Sequence, residues 1–133
     1  MCLHPFFTRC LLLTRLLVCL GLVASCEEGD LSVHELLLSP RATNVMRGAY
    51  TAGQARDTSQ LRALFAGAYD PRISHDAHFL GMSVYQCRMG ALRKISGSEP
   101  PKPITCRPDS AVVVLYYHWA IAHGFKVLNP AQL

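Results

Sequence analysis

Little in this chain marks a β-strand. The one β-branched run, Val112-Val113-Val114, lies inside a longer helical pattern, and the period-two alternation of a half-buried strand is scarce. Phosphate-cradling signatures are missing as well: there is neither a Walker loop nor a dinucleotide glycine fingerprint. No Gly-x-Ser-x-Gly elbow occurs; the nearest stretch, Gly81-Met82-Ser83, lacks the second glycine and falls within a helical pattern. Clusters of basic charge are also absent. The 13 Lys and Arg against 9 Asp and Glu give a net charge of +4. No basic cluster interleaves with aromatics, so nucleic acid is not an expected partner. A glycosidase needs two carboxylates across a cleft; Glu35 with Asp109 or Glu99 is the nearest pairing, and nothing in the sequence joins them.

What is present starts with Met1 to Ser25. Arg9 and Arg15 supply positive charge without an acid, Leu16 to Val23 make an eight-residue apolar core, and small Ala24 and Ser25 follow. A helix of that core spans about 12 Å, far short of the roughly 30 Å hydrocarbon layer. Residues 1–25 are therefore expected to be a cleaved export signal, not a membrane span. The run Val23-Ala24-Ser25-Cys26 resembles the lipobox of bacterial lipoproteins. That resemblance implies that Cys26 becomes the lipid-bearing first residue, anchored on the periplasmic side of a bacterial membrane. An ordinary signal peptidase would instead leave Cys26 as a plain residue of a secreted protein. Residues 26–30, with Glu27, Glu28, Gly29 and Asp30, read as an acidic, flexible tether, and residues 31–133 as the folded domain.

Removal of 25 of the 133 residues leaves 108, the size of one domain with a modest core. Loss of Arg9 and Arg15 leaves 11 basic residues against 9 acidic, a net charge of about +2. Cys2, Cys10 and Cys19 depart with the signal. If Cys26 is acylated, Cys87 and Cys106 remain as an even pair in an oxidising compartment. The expectation is a Cys87–Cys106 bridge closing a loop of roughly 20 residues and stabilising by about 3 kcal/mol. Two unpaired thiols, or Cys26 bonded to one of them, are the alternatives.

Helical periodicity recurs along this domain. Leu31 to Leu38 reads as a short first helix with Asp30 as N-cap and Pro40 as its end. Ala42 to about Arg56 places Val45, Met46, Ala49 and Ala52 on one face. Asp57 or Thr58 caps the next element, where Leu61, Leu64, Phe65 and Ala68 form a stripe that Asp70-Pro71 stops. Ser74 then caps the longest expected helix, about His75 to Ile95, with Ala77, Leu80, Gly81, Val84, Cys87 and Ala91 facing the core. Gly81 and Gly90 within it suggest close helix contact at a cost of about 1 kcal/mol each. A proline-rich loop runs from Ser96 to Arg107. The last helix spans about Asp109 to His123, with Pro108 at its start and Gly124 as a left-handed cap. The fold class expected is all-α, a bundle of four or five helices. Gly48-Ala49-Tyr50 recurs as Gly67-Ala68-Tyr69, an offset that matches one helix and not a helical pair. Ala77 to Gly81 and Tyr117 to Gly124 look loosely like a tetratricopeptide-related hairpin, but the proline loop between them is too long for that pattern.

Few residues suggest chemistry. His75 and His78 share a helix face in this reading, yet no third ligand is near, and a solvated helix start is the simpler account. His118 and His123 lie about 140° apart around a helix and cannot chelate together; His123 suits the carbonyl end. No metal, no cofactor and no catalytic residue is expected. A Cys87–histidine pair is disfavoured because Cys87 faces the core. Tyr116, Tyr117, Trp119 and Phe125 surround the last helix and cannot all be buried, so they are the expected partner-binding residues. Pro100-Pro101-Lys102-Pro103 reads as a rigid loop, with polyproline recognition as the alternative.

Cys87, then Cys106-Arg107-Pro108, then His123 and Pro130-Ala131 occur in this order over about 45 residues. In this the C-terminal third resembles the exported immunity proteins that neutralise cell-wall amidase effectors of type VI secretion. The resemblance implies a periplasmic helical inhibitor of a cell-wall-degrading effector. Secretin pilotins, small helical lipoproteins that chaperone an outer-membrane partner, are similar in architecture. The function expected is that of an exported, lipid-anchored helical protein that binds a protein partner in the cell envelope. An immunity protein and a small envelope hydrolase using a histidine and a carboxylate are the alternatives.

Overall fold

The computed structural model describes residues 30–130. Five α-helices follow one another: α1 (Val33–Leu38), α2 (Ala42–Ala55), α3 (Leu61–Phe65), α4 (Val84–Ser96) and α5 (Ser110–Ala122). A single 3-10 turn, Thr58–Gln60, leads into α3. No strand occurs among the described residues; an isolated bridge joins Ile73 to Ser83. The expected all-α bundle is thus the observed one. The expected signal, Cys26 and most of the expected acidic tether lie outside the described residues.

Local chemistry explains where each helix begins. Ser32, not Asp30, caps α1. Its hydroxyl accepts from the Glu35 N–H, and the Glu35 carboxylate accepts from the Ser32 N–H at 2.9 Å, a reciprocal capping box. Asp57 accepts from the Ser59 N–H at 2.9 Å and opens the 3-10 turn. Asp109 accepts from the Ala111 N–H at 2.8 Å and starts α5. Gly124, with φ +80°, turns the chain away after α5. Arg56 ends α2 at φ +50°, the only non-glycine residue with positive φ among those described.

The expected helix from His75 is corrected: α4 starts nine residues later. Ser83 is its N-cap, accepting from the Gln86 N–H at 3.1 Å. Residues 74–82 form a turn-rich loop instead. Ser74 accepts from the Asp76 N–H at 3.0 Å, and Asp76 from the His78 N–H at 2.9 Å. Backbone bonds from Ser74 to Met82 and from Gly81 to Ser74 close the loop. Gly81 sits at φ +76°, a left-handed position no continuing helix allows. Leu80 is accordingly 70% exposed and Ala77 exposed, while Val84, Cys87 and Ala91 keep the buried face.

Helix α4 is central; it packs chiefly on α2 and also touches α3 and α5. The core joins Val45, Met46, Leu64, Phe65, Met89 and Leu92 with Val112 and Tyr116 of α5, all essentially inaccessible. Close approach occurs at α2, not at the glycines singled out from the sequence. A methyl group on Gly48 would stand 2.9 Å from Leu36 Cβ, and one on Gly53 only 2.8 Å from Ala91 Cα. A methyl on Gly90 would meet nothing within 4 Å.

Arg88 is buried in this core at 5% exposure. Its Nη1 donates to the carbonyls of Ala63 and, at 3.0 Å, Leu64; its Nη2 donates to that of Leu37 at 3.1 Å. These carbonyls belong to the last turns of α3 and α1, which have no helical partners and carry the negative dipole ends. Burial pulls the Arg88 pKa down to about 10, with Asp70 opposing and Arg72 reinforcing that fall. The group therefore stays cationic at neutral pH. Its Nε is buried without a partner. Gly67 leaves room for the guanidinium, since a methyl there would lie 3.0 Å from Nη2.

The expected Cys87–Cys106 bridge does not form; both thiols are free. Cys87 is buried in the first turn of α4, and no pair of described cysteines stands at disulfide distance. Cys106 is exposed in the loop. Other contacts hold that loop. The Tyr116 hydroxyl donates to the Ser98 carbonyl at 3.3 Å, Lys102 pairs with Asp109 at 3.3 Å, and Thr105 both accepts from and donates to the Arg107 backbone.

Candidate functional site

Two surfaces stand out, the outer side of α5 and a cleft between α2 and α4. Helix α5 contains no Asp, Glu, Lys or Arg from Ser110 to Ala122. Val112, Val113, Tyr116 and Ala120 are buried against the bundle. The opposite side presents Ala111, Val114, His118 and Ile121 at spacings of three, four and three, the seam pattern of helix pairing. Val114 is 41% and Ile121 47% exposed. A helix apolar all round is normally covered all round; among the described residues this one is covered on one side.

The aromatic residues expected to bind a partner divide. Tyr116 is a correction: it is fully buried, and burial pushes its hydroxyl up to about 12. The helical repeat places it beside Val112 and Val113, on the inner face. Tyr117, Trp119 and Phe125 are half-buried at the edge of the core. Tyr117 meets Phe65 edge-on at 6.2 Å, and Trp119 stacks on Phe125 at 5.8 Å. His123 lies 4.8 Å from the Trp119 ring, and its Nδ1 is 2.8 Å from the Trp119 carbonyl. A carbonyl only accepts, so Nδ1 carries the hydrogen there, at the helix end anticipated for this side chain.

Sequence reasoning missed the cleft. One lobe, of about 630 Å³, is bounded by Thr43, Arg47 and Tyr50 of α2 and by Asp76, His78 and Phe79 of the loop. A second, of about 280 Å³, shares Tyr50, His78 and Phe79 and runs to Met82, Cys87, Gly90 and Lys94. Its floor is apolar and its rim basic. Lys94 Nζ lies over the Tyr50 ring at 5.2 Å. Among the described residues the only acid on the lining is Asp76, held below the usual carboxylate range by the His78 N–H and ring and the nearby Arg47. Cys87 faces this space, but burial raises its pKa to about 11, so the thiol is protonated and weakly nucleophilic at neutral pH.

The histidines do not converge. His78 lies 3.3 Å from Asp76, both at the surface, and His75 is exposed. Among the described residues no three His, Cys, Asp or Glu side chains gather where a metal could be held. Among them, too, no helix is long and apolar enough to cross a membrane. No family model, no curated protein and no solved structure matches this chain.

Proposed function

We propose that this chain is an exported, lipid-anchored helical protein that binds a protein partner in the cell envelope, and that the outer side of α5 is the contact surface. The charge, apolar core and small residues of Met1 to Ser25, followed by Cys26, support export and anchoring. The binding role rests on one observation above others: among the described residues, a 13-residue helix without a charged side chain is packed on one side only. Val114 and Ile121 lie on this outer side, and the half-buried rings of Tyr117 and Trp119 stand at its two opposite edges. Aromatic anchors of this kind dominate interface energetics, and burying what remains open of each aliphatic side chain contributes about 1 kcal/mol.

The test is a comparison of surface variants. Val114→Glu and Ile121→Glu place charge on the exposed seam without touching the buried side of α5. A stoichiometric partner crosslinked in envelope extracts should be lost from both variants and kept by Arg62→Glu, an exposed change on α3. Retention of the partner by both seam variants would sink the α5 reading. Intact mass of membrane-extracted protein checks the anchor: loss of residues 1–25 together with added acyl mass is the expected result.

A further inference from the structure

We infer that the cleft between α2, α4 and the 74–82 loop is a second docking site, independent of α5, for an acidic peptide segment that inserts one apolar side chain. The shape comes from glycine. At Gly53 the two helices approach so closely that a methyl would collide with Ala91. At Gly90, which lines the cleft, the space beside the backbone is open. Phe79 and Met82, both half-buried, close the other wall. This leaves an apolar-floored recess of about 280 Å³ beside the exposed Tyr50.

Charge selects the occupant. Among the described residues Arg47, Arg93 and Lys94 border the cleft, against Asp76 alone. Among the described residues Arg47 and Lys94 have no ion pair, and Arg93 only grazes Glu99 at 3.9 Å. Lys94 lays its stem along Gly53 and its ammonium over Tyr50. Carboxylates of a bound segment would meet all three cations while an apolar residue fills the recess beside Gly90. A second copy of this chain is disfavoured, because a two-fold contact would set one basic rim against another. A nucleic-acid backbone is a poor match for three cations around an apolar floor.

The experiment uses the full chain and an end-blocked eight-residue peptide with four glutamates and one central phenylalanine in a glycine–serine background. Fluorescence anisotropy should show saturable binding that weakens as salt rises from about 0.05 to 0.5 M. Substituting lysine for the glutamates, or alanine for the phenylalanine, should weaken it at least about tenfold. Gly90→Phe should fill the recess and abolish binding. Arg47→Glu with Lys94→Glu should do the same from the exposed rim, where folding is not at stake. Val114→Glu should leave binding unchanged. The inference is overturned by absence of saturable binding, by equal binding of the lysine peptide, or by loss through Val114→Glu and not through the cleft variants.

Discussion

Helices α2 and α5 are nearly equal in length, 14 and 13 residues, and they bury themselves by opposite means. On α2 bulky Val45 and Met46 lie inward with small Gly48, Ala49, Ala52 and Gly53, which let α1 and α4 come close, while Arg47, Tyr50, Thr51 and Gln54 take the outside. On α5 bulky apolar residues lie on every side, and only Val112, Val113, Tyr116 and Ala120 are inside. The polar face of α2 states which of its sides meets water. That of α5 states nothing, and the half left open is the surface proposed for a partner. Tight packing through small residues and bulk without full packing are the two conditions to be told apart by mutation.

The largest expected effect lies on α4, which both helices touch. Arg88→Ala removes the donor for three buried carbonyls and should cost about 3–5 kcal/mol, measured by urea unfolding. Next, Gly53→Ala should cost about 1–3 kcal/mol, because its methyl meets the Ala91 backbone. Gly90→Ala, on the partner helix of the same pair, should stabilise by about 0.5–1 kcal/mol, since a methyl there meets open space. A cost at Gly90 equal to that at Gly53 would erase the distinction between contact and cleft. A pH titration addresses the loop that follows α3. Partial burial of Asp70 raises its pKa, but the hydrogen bonds and charge of Arg72, with the charge of Arg88, outweigh this and hold it below the ordinary carboxylate value. Its contribution is complete above the unfolded carboxylate pKa and lost as pH falls through the folded one. Asp70→Asn should therefore flatten the acid limb of stability. The smallest effect belongs to α5: Val114→Glu should change stability by no more than about 0.5 kcal/mol. A loss of several kcal/mol would mean that this side of α5 is covered within the chain itself.

Much of the helical framework was legible because its signals are local. Val45, Met46, Ala49 and Ala52 repeat with the helix, as do Leu61, Leu64, Phe65 and Ala68, and every one of them is buried. Asp57, Asp109 and Gly124 act where their chemistry places them. The start of α4 failed for an equally local reason. Ser74 and Ser83 are both competent caps, and apolar spacing continues across Gly81, whose left-handed backbone periodicity does not register. Asp30 likewise competed with Ser32, and Glu35 decided the matter. The disulfide expectation counted cysteines, a parity that holds no distance. Arg88 was hidden because its carbonyl partners lie 24, 25 and 51 residues away. A lone cation between Tyr85 and Leu92 on an otherwise apolar stripe was the available signal. The cleft draws on three separated segments, so Tyr50, Phe79 and Lys94 come together only through the packing at Gly53. On α5 the sequence reading was right that the aromatics cannot all be inside, and the identity of Tyr116 as the buried one follows from its register with Val112 and Val113.

The guanidinium that ties Leu37, Ala63 and Leu64 has a consequence for how the domain opens. Helices of six and five residues do not persist alone in water. The carbonyl ends of α1 and α3 share one cation carried by α4, so releasing either short helix exposes a charge whose other contacts depend on the second. Their amide protons should therefore exchange with solvent in one concerted event, with common kinetics, and not by separate fraying at two ends of the chain.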